Sequence, residues 1–312
     1  MAGFALGLCL AAGCGAKDID KAAPQPQKND ASTTRQALLA RDIAALAPQR
    51  PGHRDLYVLA VAGDGTEQVF RNEVLHLENL ATRRLDAPGR VLVLANHPQD
   101  SLQRPLPLAD PGSLRTALAG LGDAMDPDED VLLLYLTSHG TEDHRFLLRQ
   151  PKRGDRLLTP RQLREALDAS GIRHRVVVIS ACYSGGFMRE LDDPDTLLLM
   201  AARRDRPSFG CGNDSVATYF GRAWLVDGLN ATVDFALAFE QARAAIEKRE
   251  KAEGLLPSRP QIQRGERIDA TLAAWRAGFT PGPPLPYPHA EPEAAGEKLI
   301  PPRLPAGKSG SR

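Results

Sequence analysis

Short, unbroken apolar runs punctuate the chain. Leu56-Tyr-Val-Leu-Ala-Val61, Arg90-Val-Leu-Val-Leu-Ala95, Val131-Leu-Leu-Leu-Tyr-Leu-Thr137, residues 175–180 and Thr196-Leu-Leu-Leu-Met-Ala201 lack the alternation of a half-exposed strand. They predict strands buried on both faces. Between them the period changes. Phe70, Val74, Leu77, Ala81 and Leu85 recur at steps of three and four, as do Leu114, Ala117, Leu118 and Leu121 before Gly122. Thr159-Pro160-Arg-Gln162 has the N-cap, first-turn proline and capping box of a helix start, and Gly171 stops that helix. Two further helices are predicted at 215–228 and 233–250, the second striped by Phe235, Phe239, Ala242 and Ile246. Phe146-Leu-Leu148 reads as a small hairpin outside the main sheet, and 257–262 as an edge strand.

Continuous apolar strands alternating with amphipathic helices specify an α/β fold, a mostly parallel central sheet with helices on both faces. In such sheets the functional crevice lies beyond the strands' carboxyl ends. Two of those ends carry reactive residues: 131–137 runs into Ser138-His139-Gly140, and 176–180 into Ala181-Cys182-Tyr183-Ser184-Gly185-Gly186. If the two strands are parallel neighbours, His139 and Cys182 meet at one rim.

The ends of the chain have a different character. Met1 to Cys14 is uncharged, apolar and too short to span a bilayer as a helix. Residues 15–53 read as a polar tether with a short helix at 34–46. The folded domain is placed at 54–278, and the Pro-, Gly- and Ala-rich stretch 279–312 is expected to be disordered. Lys+Arg and Asp+Glu both total 39 in 312 residues, so the formal net charge is zero. Nucleic acid and anionic membrane surfaces both select a basic excess, so neither is expected as the main partner. Four cysteines, at 9, 14, 182 and 211, do not make a disulfide framework, although counting permits a Cys182–Cys211 bridge.

Cys182 sits where an apolar strand stops and a glycine-rich turn begins. There, amide dipoles and an imidazolium can stabilise a thiolate. The predicted chemistry is attack by Cys182 on a carbonyl, with His139 as proton carrier and the backbone amides of Gly140 and Cys182 as oxyanion donors. Rival motifs fail on spacing. His139 and His144 lie five apart in a loop, without the cysteine pair or helical His-Glu-x-x-His of a zinc site. Ala62-Gly-Asp-Gly-Thr-Glu-Gln68 leaves a strand and opens a helix, as a dinucleotide loop does, but lacks the third glycine. Arg189 follows Cys182 by seven positions where a cysteine phosphatase needs six, and no Gly-x-Ser-x-Gly occurs.

The blocks Leu-Tyr-Leu-Thr-Ser-His139-Gly140 and Val-Ile-Ser-Ala-Cys182-Tyr-Ser-Gly-Gly186 resemble the two active-site blocks of legumain-type cysteine peptidases. Met200 to Cys211 and Thr218 to Trp224 are similar to the family's later segments, so the resemblance covers about 55–265. It implies a caspase-like three-layer sandwich, a Cys182–His139 dyad, a polypeptide substrate, and no metal or organic cofactor. Carried over by motif, Arg71 is close to the family's pocket arginine and Ser208 to a pocket-lining serine. Ser180 stands where legumains have Glu, and Arg222 where they have the pocket Asp. Both replacements make the pocket less acidic, so an acidic residue before the scissile bond is expected to be accepted, with Arg71 and Arg222 as counter-charges. The alternatives are a non-catalytic envelope lipoprotein using the same fold to bind, and a transpeptidase or transamidase.

Separately, Leu-Ala-Ala-Gly-Cys14 resembles the lipobox of bacterial lipoproteins. That resemblance implies a signal peptide at 1–14, lipid attachment at Cys14, and a periplasm-facing protein of the bacterial cell envelope, with outer-membrane anchoring as its weaker corollary.

Overall fold

A computed structural model describes residues 31–97, 104–151, 154–212 and 215–289. The lipobox and Cys14 lie outside the described residues. The chain runs α1 (Ala31–Ala44), β1 (Leu56–Ala62), α2 (Gln68–Arg83), β2 (Val91–Ala95), α3 (Pro111–Ala124), β3 (Val131–Thr137), β4 (Phe146–Gln150), β5 (Gly154–Leu158), α4 (Pro160–Ala169) and β6 (His174–Ser180). A 3-10 turn at Ser184–Phe187, α5 (Met188–Leu191) and β7 (Thr196–Met200) follow. A π-helix at Gly221–Gly228 then leads through α6 (Leu229–Ala231) to α7 (Phe235–Ala252), β8 (Gln261–Arg264) and α8 (Ile268–Ala277).

The main sheet has the order β2-β1-β3-β6-β7-β8. Its first five strands are parallel, and β8 closes the edge antiparallel to β7. Successive strand residues point to opposite faces, and this sorts the core into two layers. Val58, Leu133, Tyr135 and Val178 pack with α2, the π-helix, α7 and α8. Leu59, Leu134, Leu136, Val177 and Ile179 pack with α1, α3 and α4. Both faces are covered, so the apolar runs need no polar side. The three-layer α/β arrangement expected from the sequence is what the chain forms.

The predicted helix starts form as their chemistry requires. Thr159 accepts from Gln162 N while the Gln162 side chain returns to the Thr159 backbone. β4 and β5 form the separate antiparallel hairpin.

Four differences from expectation are informative. The helix expected at 215–228 is a π-helix beginning at Gly221. The edge strand falls at 261–264 rather than 257–262. The region before residue 54 is part of the body: Leu39 is buried, Ile43 packs on Gly120 of α3, and Tyr57 Oη donates to Ala47 O. The chain after 278 is also packed as far as it is described. Arg84 donates to Gly282 O, Asn230 exchanges two hydrogen bonds with Leu285, and Tyr287 Oη donates to Val216 O. Proline-rich composition predicted disorder there, but segments without secondary structure can be held by side chains that satisfy their backbone.

Sequence reading also missed α8, whose Ile268, Leu272 and Trp275 do carry a helical stripe. Trp275 stacks on Phe235 at 5.1 Å. Among the described residues, no helix is long and apolar enough to cross a membrane.

Candidate active site

β3 and β6 are hydrogen-bonded neighbours, and their register ends on the pair Thr137 and Ser180. His139 and Cys182 each lie two residues beyond that pair, so equal overhang brings them to one rim. The contact is tight. A methyl group added at Gly140 would overlap the Cys182 carbonyl oxygen, so only glycine fits there.

The backbone of His139 is held from both sides. Ser138 N donates to Ser180 O at 3.2 Å, Ser138 Oγ donates to Leu147 O at 2.7 Å, and Leu147 N donates to His139 O at 3.0 Å. Gly140 pairs with Phe146, and the flanking bonds are Leu147 N to His139 O and Thr141 N to Arg145 O. That pattern makes Gly140 the non-bonded member of an antiparallel pair, whose amide points away from its partner strand.

After Cys182 the chain turns sharply. Tyr183 adopts a left-handed backbone (φ 57°), an unfavourable conformation for an aromatic residue. It opens the 3-10 turn, and its N–H donates to Arg206 O at 2.9 Å. His144 packs its ring directly on Gly186 in that turn.

The segment after β7 wraps the sulfur. Ser208 N donates to Cys182 Sγ at 3.3 Å, and Ser208 Oγ lies 3.8 Å from it. The Cys211 thiol also interacts with Cys182. This contact, followed by the Ser208 donors and the His139 charge, brings the Cys182 thiol below its ordinary range against the opposing cost of burial. Cys211 is pushed up by the same contact and by burial. The Ser208 amide donates to Cys182 and the His139 charge acts on it, which favours Cys182 over Cys211 as the thiolate. Both cysteines are free, so the bridge that counting permitted is not formed.

The residues assigned to a pocket separate. Ser208 touches the sulfur itself. Ser180 is buried beneath the rim, its hydroxyl 3.1 Å from Thr218 Oγ1, and it presents nothing at the surface. Its neighbour Glu73 is entirely buried and accepts from Tyr135 Oη (2.8 Å), Thr137 Oγ1 (2.6 Å) and Thr218 N (2.7 Å). Burial pushes the Glu73 carboxyl up. Arg71 donates to the neutral side chains of Asn72 and Gln68, and burial lowers its pKa. Arg222 sits at the start of the π-helix, 3.3 Å from Asp227 and 6.0 Å above the Tyr287 ring. Arg71 also feels Tyr287, so the two arginines flank one segment.

Two site groups escaped sequence reasoning. Glu67 Oε1 lies 2.9 Å from His139 Nε2, and Asp64 Oδ2 lies 3.9 Å from it. Both belong to the loop that failed as a dinucleotide site. The only signal was its position, at the carboxyl end of the strand beside β3.

A model of the Peptidase C13 family matches residues 116–266, which hold both His139 and Cys182 and run from α3 past β8. No curated protein matches the chain in sequence. Among solved structures the chain is similar to the crystal structure of caspase-1 from Spodoptera frugiperda. The TM-score is 0.47 at 14% identity, covering 71% of this chain and 94% of that one.

Proposed function

We propose that the chain is a cysteine endopeptidase working through Cys182 and His139. The observation that carries this reading is the convergence at one rim of a donor-wrapped Cys182 sulfur and His139, from strands paired in parallel register. The Peptidase C13 match over the same residues supports it.

The thiolate of Cys182 attacks the scissile carbonyl carbon. Charge developing on the carbonyl oxygen is met by the amides of Gly140 and Cys182. His139 protonates the leaving amine, and an acyl-enzyme remains on Cys182. His139 then takes a proton from water, which attacks the thioester and frees the thiol. No metal or organic cofactor enters this scheme. In this reading the residue before the scissile bond need not be Asn, and an acidic one is accepted between Arg71 and Arg222. The lipobox-like Leu-Ala-Ala-Gly-Cys14 supports a chain anchored by lipid at Cys14 and facing the periplasm.

The test is covalent trapping by a peptidyl acyloxymethyl ketone under reducing conditions, with cleavage of a peptide library measured alongside. The wild type is expected to be labelled at Cys182, and Cys182→Ala to be neither labelled nor active. A folded wild type that neither labels nor cleaves would instead identify a binding module. Products joined to an added amine would identify a transpeptidase.

A further inference from the structure

The loop Gly63-Asp64-Gly65-Thr66-Glu67 leaves the carboxyl end of β1, the strand on the far side of β3 from Cys182. It is pinned at the active-site rim: Gly63 N donates to Thr137 O at 2.9 Å and Gly65 N to Arg149 O at 3.1 Å. Asp64 is buried. Its Oδ1 accepts from Thr66 N (2.8 Å) and Thr66 Oγ1 (2.6 Å), and its Oδ2 lies 3.3 Å from the Arg149 guanidinium.

Glu67 occupies the N-cap position of α2 with extended backbone (φ −120°, ψ 136°), yet its side chain caps nothing. A capping side chain at such a position stabilises the helix start. Here the carboxylate turns to His139 instead, at 2.9 Å from Nε2. Its second oxygen is buried without a hydrogen bond, as is Asp64 Oδ2. The edge-to-face contact of Phe70 with His139, 5.3 Å between centroids at 82°, holds the ring from another direction.

We propose that Glu67 is the positioning residue for His139. It accepts the Nε2–H, which leaves Nδ1 as the nitrogen available to Cys182, and its charge stabilises the imidazolium that forms when the Cys182 proton moves to Nδ1. Asp64 adds a buried second negative charge, itself tied to Arg149. The rim therefore draws on three adjacent strands: carboxylate from β1, imidazole from β3 and sulfur from β6. The role in peptide cleavage rests on the proposed function above, while the pairing and its effect on Cys182 do not.

The experiment follows alkylation of Cys182 by iodoacetamide at pH 5, read by peptide mass spectrometry. It compares wild type, Glu67→Gln, His139→Gln and the double variant. Glu67→Gln keeps an acceptor but loses the charge, and is expected to slow alkylation about tenfold, one pKa unit of thiolate population. In the His139→Gln background the same change is expected to add nothing, because Glu67 acts through the imidazole. An unchanged rate in Glu67→Gln, or equal slowing in both backgrounds, would overturn the proposal. A second measurement needs no variant: ¹⁵N resonances of His139 in the wild type should show the neutral ring protonated at Nε2. A neutral ring protonated at Nδ1 instead would overturn it. A chain that passes both tests but cleaves no peptide would lose the proposed function and keep this pairing.

Discussion

Gly140 and Cys182 are in direct backbone contact, with the Gly140 Cα set against the Cys182 carbonyl. This contact locks the two strand ends together and fixes the spacing of the reactive pair. Gly140→Ala would place a methyl group on backbone that has no flexible way to yield. The expected outcome is a loss of about 1–3 kcal/mol in urea unfolding, together with loss of Cys182 labelling by the acyloxymethyl ketone. Labelling at the wild-type rate would show that the rim tolerates separation.

Interaction with Cys211 lowers the Cys182 thiol. Cys211→Ala removes that interaction, so the midpoint of Cys182 alkylation against pH should move upward. At pH 5, below the wild-type thiol's own range, the variant should react about tenfold more slowly for each unit of the shift. Above the ordinary thiol range near 8.5 the two rates should converge. Identical profiles would leave Ser208 and His139 as the only activating groups.

Glu73 joins α2, β3 and the segment leading into the π-helix. Glu73→Gln can accept from Thr218 N and donate to the hydroxyls of Tyr135 and Thr137, both able to turn and accept. Glu73→Leu strands three buried donors and is expected to cost about 3 kcal/mol or more. The pH dependence has a definite sign. A carboxyl raised by burial binds its proton more tightly folded than unfolded, so it contributes most below the ordinary Glu value of 4.5 and loses that contribution as pH rises. Glu73→Gln should therefore gain relative to wild type in thermal melts as pH rises above 4.5.

Asp195 behaves oppositely. Arg267 and Arg173 hold it down to about 2 at the start of β7. A depressed carboxyl contributes stability above its unfolded value near 4 and loses it as pH falls toward 2. Asp195→Asn is expected to cost about 1–2 kcal/mol at pH 7, reduced by solvent around the half-exposed arginines. The difference from wild type should vanish near pH 2 in denaturant titrations.

The pocket prediction concerns Arg71, whose hydrogen-bond partners are the neutral side chains of Gln68 and Asn72. Peptides with Asp or Glu before the scissile bond are expected to be cleaved in preference to Asn peptides. Arg71→Ala should lower kcat/KM for the acidic substrates about tenfold or more, since a hydrogen bond to a charged group is worth about 1.5–3 kcal/mol. Strong Asn preference in a peptide library would end the two-arginine reading.

The strands, the layers and the placement of His139 and Cys182 just beyond two strand ends were legible in the sequence. Those features are local: an unbroken apolar run can satisfy itself only inside a doubly covered sheet, and each run ends visibly at Ser138-His139 or Ala181-Cys182. Only the tertiary structure decided which side chains surround them. Glu67 reaches His139 across 72 positions and Thr218 reaches Glu73 across 145, separations at which no period or spacing operates. Ser180 has the sequence position of a pocket residue, but the crossing of the Thr218 segment buries it. The described part of the tail after residue 278 is ordered by Arg84 and Asn230, which precede it by far in the chain. Composition reports what a segment can bury by itself, and packing reports what the rest of the molecule offers it.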